Sequence, residues 1–332
     1  MAPAVTGWVL GADSGGSGVR LALAPAEPGP SRVVRPVGPV LTGPPVSTGS
    51  GGIDAGHLLE QLVPAARHLL AHAPGTAGGA ELRAVCVGAA GMATLGERLR
   101  AELPTALAAA FGAPRLLLAA DAVTAYAGAL GERSGAVIAA GTGLIAVGTD
   151  LVAWRRADGW GHLLGDCGGG AWIGRAGLEA ALRQHDGRSG GSPALLARAQ
   201  ELFGPAAGLP GQLYPRTDRA AALASFAPEV AACAADDAVA AGILGRAAVH
   251  LADCAAAVCP TTPQAALAVT GGLVRLGEPL LGPLREELTA RVPQARRADP
   301  AGDPLTGALL LASRLASGQL ALPADPALLR TL

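Results

Sequence analysis

Carboxylates and hydroxyls set inside or beside glycine-rich turns mark the places where this chain could do chemistry. Asp13 lies in Gly11–Arg20 (GADSGGSGVR), Thr142 in Ala139–Leu144 (AAGTGL), Asp166 in Gly159–Gly174 (GWGHLLGDCGGGAWIG), and a fourth such turn is Val269–Gly277 (VTGGLVRLG). Glycine allows a tight turn and lets backbone N–H groups approach phosphate oxygens, because no Cβ stands in the way. A carboxylate among such N–H groups repels phosphate, so Asp13 makes functional sense beside a divalent cation. Asp121 directly follows the apolar run Arg115–Ala120 and precedes Ala122–Leu130. That is the C-terminal end of a strand where a helix begins, the place where open α/β sheets bind ligands and where a carboxylate can take a proton from a hydroxyl. The plainer readings are a hairpin turn for Asp13 and a helix N-cap for Asp121. The sequence contains no lysine, so neither the Gly-Lys-Ser/Thr end of a P-loop nor the strand lysine of a protein kinase is available.

The elements that would position these residues repeat. Val5–Ala12 and Val19–Ala24 flank the first turn as a hairpin, a third strand is expected near Arg32–Val37, and Gly38–Gly52 reads as a loop. A helix over Ile53–Ala73, a strand over Leu82–Ala89, a helix over Thr94–Phe111 and a strand over Pro114–Ala120 follow. From Gly135 the order begins again, with Ala136–Ala140 and Ile145–Asp150 around GTG and a third strand over Val152–Arg155. Helices are expected from Gly165 to Val258, then a strand over Ala265–Thr270, a helix after GGL, a short strand near Ala295 and a last helix over Leu305–Leu315. One α/β half-molecule, duplicated, implies a cleft between halves.

Length and composition bound the rest. A chain of 332 residues, half of them apolar, favours two domains whose cores are built from Ala, Leu and Val, since aromatics are 3%. A net charge of −1 without long charged runs argues against nucleic-acid or membrane-surface partners. The start MAPAVTGWVL has no positive segment ahead of its apolar residues, and no uninterrupted apolar run approaches a spanning length, so a cytoplasmic protein is expected. Five cysteines without CxxC spacing fit small buried hydrophobes in a reducing compartment. In GWGHLLGD, Trp160 is a candidate for stacking on a ligand and Asp166 for accepting hydrogen bonds from sugar hydroxyls, while His162 reads as structural.

In this order the motifs DSGGS, Ala90–Gly91, Asp121–Ala122, GTG, GWGHLLGD, AWIG and GGL resemble the N-acetylglucosamine kinase and glucosamine kinase family, within the actin-like sugar-kinase ATPase superfamily. The resemblance implies an α/β fold of two duplicated ribonuclease-H-like domains around a nucleotide cleft. These are expected as residues 1–120 with 304–332, and residues 121–303. It implies ATP and Mg²⁺ as cofactors, Asp121 as the base, and Asp13 as the metal-side carboxylate. It places phosphate contacts on Asp13, Gly15, Gly16, Ser17, Gly141, Thr142 and Gly143, and adenosine contacts on Gly271 and Gly272. The sugar side falls on Ala90, Gly91, Asp121, Trp160, Gly161 and Asp166, and a homodimer is expected. The implied reaction is phosphorylation of N-acetylglucosamine or glucosamine at the 6-hydroxyl. Departures concern the sugar side: the chain has no asparagine to hold the 2-substituent, and Ala90, Leu144 and Cys167 stand where polar residues are usual. The alternatives are an ATP-hydrolysing activator of a 2-hydroxyacyl-CoA dehydratase, for which Cys167 is the foothold, and a sugar-binding regulator with weak ATPase activity.

Overall fold

The computed structural model describes residues 7–15, 18–27, 34–49, 52–74, 81–112 and 114–332. In chain order the elements are β1 (Trp8–Gly15), β2 (Gly18–Pro25), β3 (Val37–Gly43), β4 (Thr48–Gly49), β5 (Gly52–Ile53), α1 (Ala55–Ala71), β6 (Leu82–Ala89), α2 (Met92–Leu95), α3 (Glu97–Phe111), β7 (Arg115–Ala120) and α4 (Asp121–Leu130). There follow β8 (Gly135–Ala140), β9 (Leu144–Thr149), β10 (Trp154–Asp158), α5 (Gly170–His185), α6 (Pro193–Phe203), α7 (Leu209–Leu213), α8 (Arg219–Ala224), α9 (Ala227–Cys233), α10 (Ala238–Val258), β11 (Ala266–Thr270), α11 (Glu278–Arg291), β12 (Arg296–Arg297), α12 (Pro304–Ser317) and β13 (Leu329–Thr331).

The chain divides into two compact units, Met1–Gly135 with Thr149–Trp154 and Ala298–Leu332, and Ala136–Gly148 with Arg155–Arg297. In the first, the sheet order is β13-β7-β6-β1-β2-β3, and in the second sheet it is β10-β9-β8-β11-β12. Setting β13 aside, both follow one plan: a three-stranded meander whose first strand is joined on its other side by two later strands. In the first sheet β1, β6 and β7 run parallel and β1, β2 and β3 alternate. The expected duplication is therefore present as topology.

Local sequence explains the elements that frame the site. Val9, Leu10, Val85, Val87, Leu117 and Leu118 are wholly or almost wholly buried, as strands covered on both faces require. Helix α1 starts where the Asp54 carboxylate accepts the His57 N–H at 3.1 Å, and it buries Leu58, Leu62, Ala66 and Leu69 on one stripe. Helix α12 opens at Asp303, which caps Thr306, and closes at left-handed Gly318. It packs on α4 at backbone distance, because a Cβ at Gly307 would overlap the Thr124 carbonyl. In the second unit α10 is long and apolar enough to cross a membrane by composition. Its Ile243, Leu244, Ala247, Leu251, Ala255 and Val258 instead line the core around Phe226 and Val230.

Several boundaries differ from expectation. The third strand lies at Val37–Gly43 rather than Arg32–Val37; Pro39 and the polar flank read as loop, but an edge strand tolerates both. Residues 32–33 of the expected strand lie outside the described residues. The first half does not end at Ala120, since α4 is held in the first unit by α12. After GGL the chain makes a 3₁₀ turn, Gly272–Leu276, before α11 begins. Strand β13, which pairs antiparallel with β7, was not foreseen.

Candidate active site

Strand register brings the first unit's candidates together at the C-terminal ends of β1, β6 and β7. Ser14 lies opposite Ala89, and Ala89 opposite Ala120. The next residue on each strand is Gly15, Ala90 or Asp121, so the first turn, the Ala90–Gly91 turn and the start of α4 stand side by side. The Ala90 N–H donates to the Ser14 carbonyl at 2.9 Å, joining the first two directly. Ala90 and Gly91 are exposed, and Gly91 takes a left-handed φ of 75° that starts the short helix α2. Gly16 and Ser17 lie outside the described residues.

Asp121 occupies the first helical position of α4, and the cap position falls to Ala120, which has no side chain to cap with. Its Oδ1 accepts the Ala122 N–H at 2.9 Å, while its carbonyl accepts the Thr124 hydroxyl at 2.9 Å. The carboxylate is half-buried at the N-terminus of α4.

Asp13 is held by a residue that sequence reasoning passed over. Arg20, its cross-strand partner, places Nη2 2.6 Å and Nε 3.3 Å from Asp13 Oδ2, and its Nη1 2.6 Å from Asp303 Oδ2. One guanidinium thus joins the first turn to the cap of α12. Burial pushes the Asp13 carboxyl up; the hydrogen bond and charge of Arg20 work against it, and the Asp303 charge adds to the rise. Asp303 is also opposed by burial, but bonds from Thr306 and Arg20 bring it below its ordinary value. Both Asp13 contacts use Oδ2, and Oδ1 makes no hydrogen bond among the described residues. A carboxylate oxygen left over at the end of a glycine turn fits Mg²⁺, a hard cation that takes oxygen ligands and keeps several waters.

In the second unit the GTG turn is built from behind. The Gly141 N–H bonds the Gly143 carbonyl at 3.0 Å, and the Gly170 and Ala171 N–H groups opening α5 donate to the carbonyls of Gly141 and Thr142, each at 2.8 Å. Those contacts fix the carbonyls inward and leave Thr142 exposed. A Cβ at Gly141 would meet nothing within 4 Å, so the surface there is open, as phosphate approach needs. Gly271, at φ 102°, abuts the end of β8, where a Cβ would overlap the Ala140 carbonyl; this brings Gly271 and Gly272 beside GTG.

Asp166 ties this turn to the Gly159–Asp166 loop. It accepts the Gly161 N–H at 3.0 Å and the Leu144 N–H, and its Oδ2 fills the space that a Cβ on Gly143 would need. Burial pushes its carboxyl up, the Gly161 N–H pulls it down, and nearby Asp158 raises it again. Asp158, also unforeseen, accepts the Asp166 and Cys167 N–H groups at 2.6 and 3.0 Å. A sugar hydroxyl bonding Asp166 would share the carboxylate with two backbone amides. Trp160 is 62% exposed with the Arg156 guanidinium 4.6 Å from its ring centroid, whereas Trp172 packs edge-on against His250. Cys167 is half-buried, and burial followed by Asp158 pushes its thiol up; Cys86 and Cys259 are buried. Among the described residues no group of three or more His, Cys, Asp or Glu side chains is placed to hold a metal.

Two sheets of one plan, each with a glycine turn and a carboxylate or hydroxyl at its first hairpin, and in the first sheet a second carboxylate, Asp121, directly after β7, define the actin-like class of ATPase folds. Within that class the chain belongs to the BadF/BadG/BcrA/BcrD ATPase family, whose model matches residues 46–312. It is 32% identical over 109 residues to the N-acetylmuramic acid/N-acetylglucosamine kinase of Clostridium acetobutylicum, a stretch covering 32% of this chain and 35% of that protein. The chain thus spans about a third of the curated relative it matches. Over 93% of this chain and 99% of the other, it resembles the structure of a candidate N-acetylglucosamine kinase from Chromobacterium violaceum, with a TM-score of 0.63 and 26% identity. The corresponding protein of Porphyromonas gingivalis shares the fold at TM-score 0.63 and 18% identity, over 95% of this chain and 100% of that one.

Proposed function

We propose that this protein is an ATP-dependent sugar kinase that phosphorylates the 6-hydroxyl of an amino sugar, N-acetylglucosamine or glucosamine. The observation that carries the reading is the alignment of Gly15, Ala90 and Asp121 at the C-terminal ends of β1, β6 and β7 beside Asp13, in a chain of an ATPase family that resembles the structure of a candidate N-acetylglucosamine kinase from Chromobacterium violaceum. Asp121 orients the sugar hydroxyl and accepts its proton as the new O–P bond forms and the bond to ADP breaks. Asp13, through Oδ1, is the cation-side carboxylate; Gly15 and the exposed turn at Gly141–Gly143 are the phosphate-side surfaces, and Gly271 and Gly272 the adenosine side. Mg·ATP, when bound, supplies the phosphoryl group and a cation that offsets its charge.

Ala90, Gly91, Trp160, Gly161 and Asp166 form the sugar side. With no asparagine for the 2-acetamido group and alanine at position 90, discrimination at the 2-position is weak, because rejection of an analogue depends on polar groups left unpaired by it. The active species is a cytoplasmic homodimer.

The test is ADP release across a panel of sugars, with the position of the phosphate read by NMR. Turnover on amino sugars giving 6-phosphates, with N-acetylglucosamine and glucosamine within about a hundredfold of one another in kcat/KM, supports the proposal. ATP consumption that no sugar stimulates contradicts it.

A further inference from the structure

A pocket of about 410 Å³ lies wholly within the second unit, between α5, α7, α8 and the Gly159–Asp166 loop. Its floor is closed core: Leu178 and Leu209 are 4% and 2% exposed. Its rim holds two large apolar side chains out in water, Leu163 at 80% and Tyr214 at 75% exposed. Leu163 is held there by a stiff loop. Asp158, Gly159, Gly161 and Asp166 all have positive φ, and the Gly165 N–H closes a turn onto the Gly161 carbonyl at 2.8 Å.

The polar groups of the pocket are few and mainly cationic. Arg175 is 3.6 Å from Glu179, so those two charges offset one another. Arg219 also lines the pocket and forms no ion pair or side-chain hydrogen bond among the described residues. A concave, mostly apolar site of this size with one uncompensated guanidinium has the make-up of a small-molecule site. We propose that it binds a medium-chain carboxylate, its apolar body on Leu178, Leu209 and Leu213 and its anionic end on Arg219. The proposal does not depend on the kinase reading: none of the lining residues is assigned to transfer or to the sugar, although His162 and Leu163 share the Gly159–Asp166 loop with Trp160, Gly161 and Asp166.

Titration of the full-length protein with octanoate and with octanamide, followed by calorimetry, tests it. Octanoate is expected to bind saturably, one per chain, and octanamide about tenfold more weakly, as loss of a charge-assisted contact predicts. Arg219→Gln, an exposed substitution that keeps the fold, is expected to weaken octanoate about tenfold without altering octanamide. Leu213→Asp is expected to abolish binding of both. Absence of saturable binding, equal affinity for acid and amide, or indifference to Arg219→Gln each overturns the proposal. So does a wild-type dimer that Leu213→Asp converts to monomer without octanoate binding in either, which would make the surface a contact between copies of the chain.

Discussion

Asp13 and Arg20 face one another across the first hairpin as cross-strand partners, 2.6 Å apart at Oδ2 and Nη2, and the same guanidinium reaches Asp303 283 residues further along the chain. The carboxylate proposed to face the cation is thereby fixed from behind, and the turn is joined to the helix that returns to this unit.

Removing Arg20 should therefore expose the cost of a carboxylate that is 14% accessible and has lost its cation. Arg20→Met is expected to lower unfolding free energy by about 1–3 kcal/mol, in the range for stranding one member of a largely buried polar pair. Asp13→Asn combined with Arg20→Met should cost less than the sum of the two single changes. Denaturant titrations of the four proteins form the cycle; strict additivity would show that the contact carries no coupling.

The glycines of GTG should separate by role. Gly143→Ala forces a Cβ against Asp166 Oδ2, so it is expected to destabilise the turn and lower the melting temperature. Gly141→Ala meets open space and is expected to leave the melting temperature within a few degrees while weakening nucleotide binding. Equal effects of both on melting would mean that the surface at Gly141 is not the open one described.

A stability prediction concerns Asp237, which caps α10 through the Val239 and Ala240 N–H groups and accepts the Ser192 hydroxyl at 2.6 Å. Burial raises its carboxyl, but these three bonds outweigh it and bring it below the ordinary 3.8. A lowered carboxylate stabilises the fold above its unfolded pKa, and that contribution is lost as pH falls through the folded value. Asp237→Ala should cost about 1 kcal/mol at neutral pH, with the gap to wild type narrowing as pH drops below the carboxylate range. A gap that stays constant under acid unfolding would contradict the assignment.

What was legible in the sequence followed from local signals. The hairpin around GADSGGSG, the strand before Asp121 and the second hairpin around GTG each combine apolar runs with glycine turns, and all three are present. Arg20 was hidden because a charged residue two places beyond a turn looks solvated until strand register sets it opposite Asp13. Asp303 reads as an ordinary cap, and nothing near it in sequence reports the first hairpin. Asp158 holds a positive φ without being glycine and stands just ahead of the glycine-rich stretch, so nothing in its local sequence announces its part in the loop. The third strand was displaced because Pro39 breaks a central strand yet is harmless at an edge.

In the proposed mechanism Asp121 takes the proton of a sugar hydroxyl during phosphoryl transfer. The most direct measurement is the rate of sugar-dependent ADP release for wild type and Asp121→Asn, on the best sugar of the panel, with folding checked by melting temperature. Asparagine keeps the size of the side chain and an oxygen for the Ala122 N–H, so the helix start should survive. The expected result is a fall in kcat of about 10² to 10⁴-fold with little change in the KM for sugar or ATP. A variant that turns over near the wild-type rate would make Asp121 a helix-terminal residue alone and contradict the mechanism.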